Sequence, residues 1–298
     1  MYLVRLPAAD LRAAPNSFPS SLAHDPQEET QLLYGERVRL VGRQGDWVQV
    51  EAIEQPEFTH HHRWEGYPGW LPEEAIRPVP RGWKPNGLIG VHWAAIWQDR
   101  FAKTPWLHLP LGTEVVVLDT DEPMYPVLLQ SGVKGWIAAG EVALYSDLNR
   151  LSDEARRHLI VRTAQSLIGT SYLWGGRTPS SEPTDASVSG VDCSGLVNLA
   201  YRTAGIQIPR DAHEQFLRSV RVAWPKPGDL VFLSDPEDHA KIVHVLLVAD
   251  AEHVIEAPGT GQVVRQMPTD ERLGTTLSRL KPGDRVGKQR IEFGSYLP

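Results

Sequence analysis

The sequence predicts a multidomain protein in which two small all-β barrels precede a larger α+β domain. Three observations support this: the first half contains an internal repeat, that half lacks helical periodicity, and helix patterns followed by apolar strands begin only after Leu151. A chain of 298 residues is long for one hydrophobic core, so two or three domains are expected. The 24 prolines and 25 glycines indicate many turns between short strands.

The repeat occupies the N-terminal half of the chain. LLYGERVRLVG (32–42) resembles LPLGTEVVVLD (109–119), and GYPGWLPEEAI (66–76) resembles GVKGWIAAGEV (132–142). Short alternating apolar runs bounded by Gly, Asp and Pro are typical of small β-barrels. We therefore predict two SH3-like barrels, residues 1–80 and 81–146, with one larger β-sandwich as the alternative.

The remaining residues, 147–298, show the pattern of an α+β domain. In 151–169, Ser152 as N-cap, acidic residues in the first turn and Gly169 at the end predict a helix. CSGLVNLAYRTAGI (193–206) predicts a second helix with one apolar face. The strand-like runs that follow predict an antiparallel sheet. These runs are DLVFLS (229–234), KIVHVLLVAD (241–250), HVIEAP (253–258) and QVVRQM (262–267).

Composition and charge exclude several classes of function. The net charge is −7 without a basic stripe, so the sequence has no electrostatic footprint for nucleic acid. A single cysteine allows no intramolecular disulfide and suits a reducing compartment. The N-terminus lacks the pattern of a signal peptide, and no segment is apolar enough for a membrane helix. We therefore expect a cytoplasmic protein without a membrane partner, with export of a longer precursor as the alternative.

No cofactor or metal is predicted, because phosphate loops, dinucleotide fingerprints and zinc-ligand spacings are absent from the sequence. HHHRWE (60–65) resembles a metal-binding tract, but it stands in a polar stretch without a second ligand cluster, which favours a solvated loop. The segment 177–191 is interpreted as a surface loop, with a substrate lid as the alternative. Nothing in the sequence predicts an oligomeric state.

The only cysteine, Cys193, stands where the second predicted helix begins. Backbone N–H groups and the dipole at a helix start stabilise a thiolate, and the small Ser194 and Gly195 leave the sulfur accessible. Asp192 is the expected N-cap. A structural cysteine would more naturally lie on the apolar face further along the helix, so we interpret Cys193 as a candidate nucleophile.

A candidate base for this thiol interrupts the apolar strand IVHVLLV. This residue is His244, and the next strand carries Glu256. A short loop centred on Asp250 places residue 244 directly opposite 256, so both side chains share one face. Glu256 could then accept a hydrogen bond from one ring nitrogen of His244 and leave the other to face the thiol. His253 is expected on the opposite face of its strand.

Five motifs in a fixed order extend this interpretation over residues 150–298. They are YLWGG (172–176), DCSGLV (192–197), IPRD (208–211), KPGDLVF (226–232) and HVLLVAD…HVIEAPGTGQV (244–263). Together they resemble the NlpC family of cell-wall cysteine peptidases. The first half resembles the bacterial SH3-like domains that precede the catalytic domain in the family's γ-D-glutamyl-L-diamino acid endopeptidases.

The resemblance implies a papain-like fold and a set of catalytic residues. Cys193 would be the nucleophile, His244 the base and Glu256 the residue that orients the imidazole. Tyr172 would help to polarise the scissile carbonyl, and the backbone N–H of Cys193 would donate to the oxyanion.

The resemblance also implies a substrate. Short peptidoglycan stem peptides would be cut between γ-D-Glu and the L-diamino acid, and their free N-terminal L-Ala would be recognised by acidic and polar side chains. A group of carboxylates around the ammonium would reject longer, N-blocked chains. The residues expected to bind the substrate are Asp192, Ser194, Arg210 and Asp211, together with Glu36 and Tyr67 of the first barrel.

Three positions depart from the family's pattern. Glu256 stands where relatives usually have His and sometimes Asn or Gln, Ala212 where they often have Ser, and Val243 where some have His. A carboxylate should still orient the imidazole of His244 and raise its pKa. Two other functions stay open on the sequence alone: a wall-binding protein whose third domain has lost activity, and a thiol enzyme that acts as an amidase or acyltransferase on another substrate.

Overall fold

The structure, a computed structural model, describes residues 1–16, 24–120, 123–180 and 189–298. The chain forms two compact units. The first comprises Met1–Gln55, Glu65–Arg150 and Arg177–Ser189, and the second comprises Pro56–Trp64, Leu151–Gly176 and Gly190–Pro298. Much of the loop predicted over 177–191 lies outside the described residues.

The beginning of the first unit is a seven-stranded sheet with the order β3-β2-β6-β5-β4-β1-β7. Its strands are β1 (Tyr2–Val4), β2 (Ala8–Arg12), β3 (Glu28–Leu33), β4 (Arg37–Gln44), β5 (Trp47–Glu57), β6 (Glu65–Pro72) and β7 (Ile76–Pro78). Alternate residues point inward from the strands and form a buried apolar core. This core includes Val4, Leu11, Leu32, Val38, Val50 and Leu71.

A second core of the first unit lies beneath shorter strands. A five-stranded sheet has the order β13-β12-β11-β8-β14, and β9 pairs with β10. The elements are β8 (Gly87–Ile89), β9 (Trp93–Ile96), β10 (Leu107–Pro110), β11 (Glu114–Val117), β12 (Met124–Leu128), β13 (Lys134–Ala138), β14 (Val142–Leu144), the one-turn helix α1 (Tyr145–Leu148) and β15 (Arg177–Thr178). The core residues include Ile89, Ile96, Leu109, Val115, Val127 and Ile137.

The internal repeat corresponds to a repeated local structure. Gly35 and Gly112 occupy equivalent positions and have φ angles of 86° and 80°, which only glycine adopts without steric cost. In each repeat the Gly-Trp pair lies in a strand that leads into a 3₁₀ turn and then a short strand. The division of this half into two domains at residue 80 stays a prediction.

The second unit contains four helices among its described residues, and two of them match the predicted helices. They are α2 (Asp153–Ser166), α3 (Cys193–Thr203), α4 (Ala212–Arg218) and α5 (Thr269–Leu273). Ser152 caps α2 by accepting a hydrogen bond from the Ala155 N–H at 3.2 Å. Helix α3 begins at Cys193 as predicted, but it is buried on nearly every side and not on one face alone. Its polar residue Asn198, for example, donates to the buried carbonyl of Ile208 at 2.9 Å.

A seven-stranded sheet packs with these helices. It runs in the order β17-β23-β18-β19-β20-β21, and β22 pairs with β23. The strands of the second unit are β16 (Gly190–Val191), β17 (Val220–Arg221), β18 (Leu230–Ser234), β19 (Ile242–Val248), β20 (His253–Glu256), β21 (Arg265–Pro268), β22 (Arg285–Val286) and β23 (Gln289–Ser295). Buried residues such as Val231, Leu246, Val254 and Phe293 form its core.

The predicted fold class is confirmed, but two local predictions are wrong. Strand β19 pairs with β20 through Leu247 opposite Ile255, so the register sets Glu256 opposite Leu246 and not opposite His244. The loop is centred one residue later than predicted; the register therefore shifts by two residues and leaves both side chains on the same face. The last predicted strand begins at Arg265 and not at residue 262.

No helix in the described part of the chain is long and apolar enough to cross a membrane.

Candidate active site

Cys193 is the first residue of α3, and it is partly exposed. The preceding residue, Asp192, caps the helix through its Oδ1 atom, which accepts hydrogen bonds from the Gly195 N–H at 2.6 Å and the Ser194 hydroxyl at 3.1 Å. These bonds fix the first turn and therefore the direction in which the thiol leaves the backbone. Cys193 thus belongs to the first turn, whose backbone N–H groups have no acceptor within the helix.

His244 of β19 connects Cys193 with Glu256. Its Nε2 atom lies 2.8 Å from Oε2 of Glu256, and the Cys193 side chain interacts electrostatically with the same ring. Because Nε2 faces the carboxylate, Nδ1 is the nitrogen left for the thiol. The structure therefore brings together a thiol, an imidazole and a carboxylate in the order that nucleophilic catalysis requires.

Electrostatics favour the charged forms of this group of residues. Burial lowers the pKa of His244, but the charge of Cys193 and the hydrogen bonds to Cys193 and Glu256 outweigh it and raise the pKa to about 9. Burial raises the pKa of Glu256, but His244, Arg265 and Arg272 outweigh it and lower the pKa to about 2. A protonated His244 beside an ionised Glu256 is therefore the stable state of this pair at neutral pH.

Two arginines that the sequence did not indicate surround the Glu256 carboxylate. Arg265 of β21 donates to Oε1 from Nη2 at 2.7 Å, and Nε of Arg272 of α5 lies 2.8 Å from Oε2. Arg265 stands directly opposite Glu256 in the antiparallel pair of β20 and β21. Alternation along a correctly placed strand could have found Arg265. Arg272 lies in a helix of five residues, which has no recognisable periodicity.

Arg210 forms hydrogen bonds with Asp192 and Ser194, the two residues that flank Cys193 at the start of α3. Its guanidinium forms two hydrogen bonds with the Asp192 carboxylate, at 2.9 Å to Oδ1 and 2.7 Å to Oδ2, and a third with the Ser194 hydroxyl at 2.8 Å. The Arg210 side chain is fully buried. This pair neutralises Asp192 and joins three of the predicted substrate-binding residues in one network beside the thiol. Their role in binding stays a prediction.

Tyr172 of the YLWGG motif lies in the same electrostatic environment. Burial raises its pKa, and the charges of Asp192 and Cys193 raise it further, so the phenol stays protonated. Its backbone N–H donates to the carbonyl of Gln262 at 2.8 Å, which ties the motif to the segment that precedes β21. A neutral hydroxyl is able to donate a hydrogen bond, as the predicted role requires.

The remaining predicted residues of the second unit lie around the start of α4 and on β19. Asp211 occupies the N-cap position of α4 without a side-chain cap, and Ala212 is buried. Val243, which precedes His244 in β19, is 40 % exposed. An apolar side chain therefore faces solvent at the position where some relatives place a histidine.

Glu36 and Tyr67 belong to the first unit, where both have partners. The fully buried Glu36 carboxylate accepts hydrogen bonds from Arg177 at 3.0 Å and from the side-chain amide of Gln55 at 2.9 Å. The hydroxyl of Tyr67 donates to Glu29 at 3.3 Å. The charge of Glu36 is thus balanced within its own unit by Arg177, and the proposed contact of Glu36 and Tyr67 with an ammonium stays a prediction.

The raised pKa of His244 predicts a specific pH dependence. We expect its imidazole to titrate near pH 9 when the ring nitrogens of the histidines are followed by NMR. The variant Cys193→Ala should lower that midpoint, because the interaction with Cys193 that raises the pKa of His244 is lost. Since the folded pKa exceeds the ordinary value of 6.5, protonated His244 stabilises the fold fully below pH 6.5, and this contribution is lost as the pH rises through about 9. An unchanged midpoint in Cys193→Ala would contradict the ion pair.

The chain is similar to known proteins over most of its length. Residues 169–277 match the model of the NlpC/P60 family. A gamma-D-glutamyl-L-lysine dipeptidyl-peptidase from Bacillus cereus is 30% identical over 246 residues, which cover 80% of this chain and 70% of that protein. A protein of the same name from Bacillus subtilis is 26% identical over 250 residues, covering 82% and 77%.

Solved structures give the same result for the fold. A crystal structure of an NlpC/P60 family protein from Bacillus cereus matches with a TM-score of 0.81 and 26% identity over 100% of both chains. An NlpC/P60 endopeptidase from Photobacterium damselae matches with a TM-score of 0.62 and 14% identity, covering 98% of this chain and 72% of that one. The second match concerns the fold alone.

Proposed function

Because this chain belongs to the NlpC/P60 family and is a peptidase, we propose that it hydrolyses peptidoglycan stem peptides with Cys193 as nucleophile, His244 as base and Glu256 as the orienting residue. The single observation that carries this assignment is the position of His244, whose ring is hydrogen-bonded to Glu256 and interacts electrostatically with the Cys193 side chain. An imidazole held by a carboxylate and directed at a thiol is the arrangement of an activated cysteine nucleophile.

The proposed reaction proceeds through an acyl-enzyme. The Cys193 thiolate attacks the scissile carbonyl carbon, and the carbonyl oxygen becomes an oxyanion that accepts hydrogen bonds from the Cys193 N–H and the Tyr172 hydroxyl. The His244 imidazolium then gives its proton to the leaving amine as the C–N bond breaks. Water attacks the thioester, neutral His244 takes its proton, and release of the acid restores the thiolate–imidazolium pair.

For the substrate, we propose the bond between γ-D-Glu and the L-diamino acid of stem peptides with a free N-terminal L-Ala. The names of the two Bacillus relatives support this choice. Asp192 and Ser194 beside the thiol would bind the L-Ala ammonium, and Arg210 and Asp211 would complete the site. For Glu36 and Tyr67 of the first unit, a role in substrate binding stays a prediction. Because Asp192 is already ion-paired with Arg210, recognition would rely on hydrogen bonding to its oxygens more than on net charge.

Mass spectrometry of peptide digests tests this proposal. We expect L-Ala-γ-D-Glu-L-Lys to yield L-Ala-γ-D-Glu and Lys, and the N-acetylated peptide to be cut at least tenfold more slowly, about 1.4 kcal/mol. The diaminopimelate tripeptide, run in parallel, establishes the preferred diamino acid. Cys193→Ala is the inactive control. Cleavage by Cys193→Ala, or a stable acyl-enzyme without hydrolysis in the wild type, would contradict the proposed hydrolysis.

A further inference from the structure

The Glu256 carboxylate is unusual in the number of charged groups that hold it. Oε1 accepts hydrogen bonds from Nε and Nη2 of Arg265, at 3.1 and 2.7 Å, and from Nε of Arg272 at 3.0 Å. Oε2 accepts from His244 at 2.8 Å and from the same Nε of Arg272 at 2.8 Å. Both oxygens are thus occupied, and three elements (β19, β21 and α5) converge on one side chain.

Burial makes these contacts necessary. The Glu256 side chain has no solvent exposure, and an isolated carboxylate in such a place would take up a proton and stay neutral. A neutral acid would be a weaker partner for an imidazolium than a carboxylate is. Two guanidinium groups supply the positive charge that keeps Glu256 ionised while the His244 ring changes its own protonation state during the reaction.

We propose that Arg265 and Arg272 are positioning residues for this peptidase: they fix the Glu256 carboxylate against Nε2 of His244 and offset its negative charge. The proposal rests on the function assigned to Cys193, His244 and Glu256 above. Both arginines act on His244 through their contacts with Glu256.

The two arginines differ in how they contact the Glu256 carboxylate and in how exposed they are. Arg272 reaches both carboxylate oxygens, so it opposes rotation of the carboxylate about its own axis, and its side chain is 22% exposed. Arg265 contacts Oε1 alone, and its side chain is 43% exposed. Solvent screens the charge of Arg265 more strongly. Loss of Arg272 should therefore affect the orientation of His244 more than loss of Arg265.

The charged groups around the imidazole determine the sign of the expected pH effect. His244 faces Cys193 of α3 and Glu256 of β20, while Arg265 and Arg272 reach it through Glu256. Asp192, Arg210 and Tyr172 stand around the thiol. Removal of a guanidinium leaves the imidazolium with less opposing positive charge, so the alkaline loss of activity should move to higher pH.

The test measures kcat, KM and their pH profiles for Arg272→Ala, Arg272→Lys, Arg265→Ala and Arg265→Lys. For Arg272→Ala we expect kcat to fall about 10- to 100-fold with little change in KM, as misalignment of a reacting group does. Its alkaline limb should move upward from about pH 9. Lysine keeps the charge but loses the planar contact, so Arg272→Lys should restore the pH profile and only part of kcat. Effects at Arg265 should be smaller and of the same sign.

Arg290→Ala is the matched control, because Arg290 is also an ion-paired arginine on a strand of the second unit, with Nε 3.1 Å from Glu292 and a side chain 50% exposed. We expect wild-type kcat and pH profile from it. Wild-type values of kcat and of the alkaline limb in all four variants, with a lower unfolding temperature alone, would overturn the positioning role. Retained activity in Cys193→Ala or His244→Ala would instead overturn the proposed function, so the two failures are distinguishable.

Discussion

Glu256→Gln is expected to lower kcat/KM for peptide cleavage by about 10³- to 10⁴-fold, although the side chain keeps its size. The reason lies in the donors around it. Arg265 donates two hydrogen bonds to Oε1, and the single Nε–H of Arg272 is shared between Oε1 and Oε2. In the variant the amide oxygen would therefore take the place of Oε1, where more N–H groups converge, and the NH₂ group would take the place of Oε2, opposite Nε2 of His244.

That exchange inverts the tautomer of the imidazole. An NH₂ donor opposite Nε2 requires Nε2 to accept a hydrogen bond, so the proton of neutral His244 moves to Nδ1. Nδ1 is the nitrogen left for Cys193, because Nε2 faces residue 256. A protonated Nδ1 on a neutral ring cannot take the thiol proton, and the thiolate–imidazolium pair does not form.

Steady-state kinetics with the γ-D-Glu–L-Lys tripeptide measure this effect, and circular dichroism verifies that the variant is folded. Glu292→Gln is the matched control, since Glu292 is another strand glutamate that is ion-paired with an arginine at 3.1 Å. We expect wild-type kinetics from it. Glu256→His should also be slow, because Arg265 and Arg272 would then donate toward an imidazole in place of a carboxylate. A rate within tenfold of the wild type for Glu256→Gln would contradict the orienting role.

The sequence was enough to predict that His244 and Glu256 share one face of the sheet, because side chains alternate between the two faces along each strand. The predicted register was wrong by two residues, yet a shift of two keeps each side chain on its face. The position of Cys193 at a helix start was likewise predictable, since an N-cap is a local signal. Local periodicity and capping thus contain enough information to assemble the three residues proposed to carry the chemistry.

The charge partners of these residues could not be predicted in the same way. Glu36, a predicted substrate ligand, is ion-paired with Arg177, which lies 141 residues further along the chain. Arg272 reaches Glu256 from a short helix 16 residues away. Tertiary packing determines which residues form such buried pairs. A buried carboxylate requires a nearby cation, but no spacing rule in the sequence specifies which arginine or lysine will supply it.

Arg210→Met is expected to lower the free energy of unfolding by about 3–5 kcal/mol, because it leaves the Asp192 carboxylate buried without its cation. Arg210 also holds Asp192 in the orientation in which its Oδ1 caps α3 and its Oδ2 accepts a hydrogen bond from the Gly175 N–H at 3.1 Å. Without the bidentate pair, the carboxylate should turn toward water and the first turn of α3 should fray. Activity should fall with it, since that turn carries Cys193.

Urea unfolding measures how much the Asp192–Arg210 ion pair contributes to stability. It is applied to the wild type, to Arg210→Met and to the double variant Asp192→Asn/Arg210→Met. The double variant removes both charges, so it should recover part of the lost free energy of unfolding. It should recover little of the activity, because the network that Arg210 forms beside Cys193 is still missing. Arg290→Met, at an exposed pair, should cost less than about 1 kcal/mol. If Arg210→Met unfolds at the same urea concentration as the wild type, the pair does not stabilise α3, and the direction of the Cys193 thiol must be fixed by the helix cap alone.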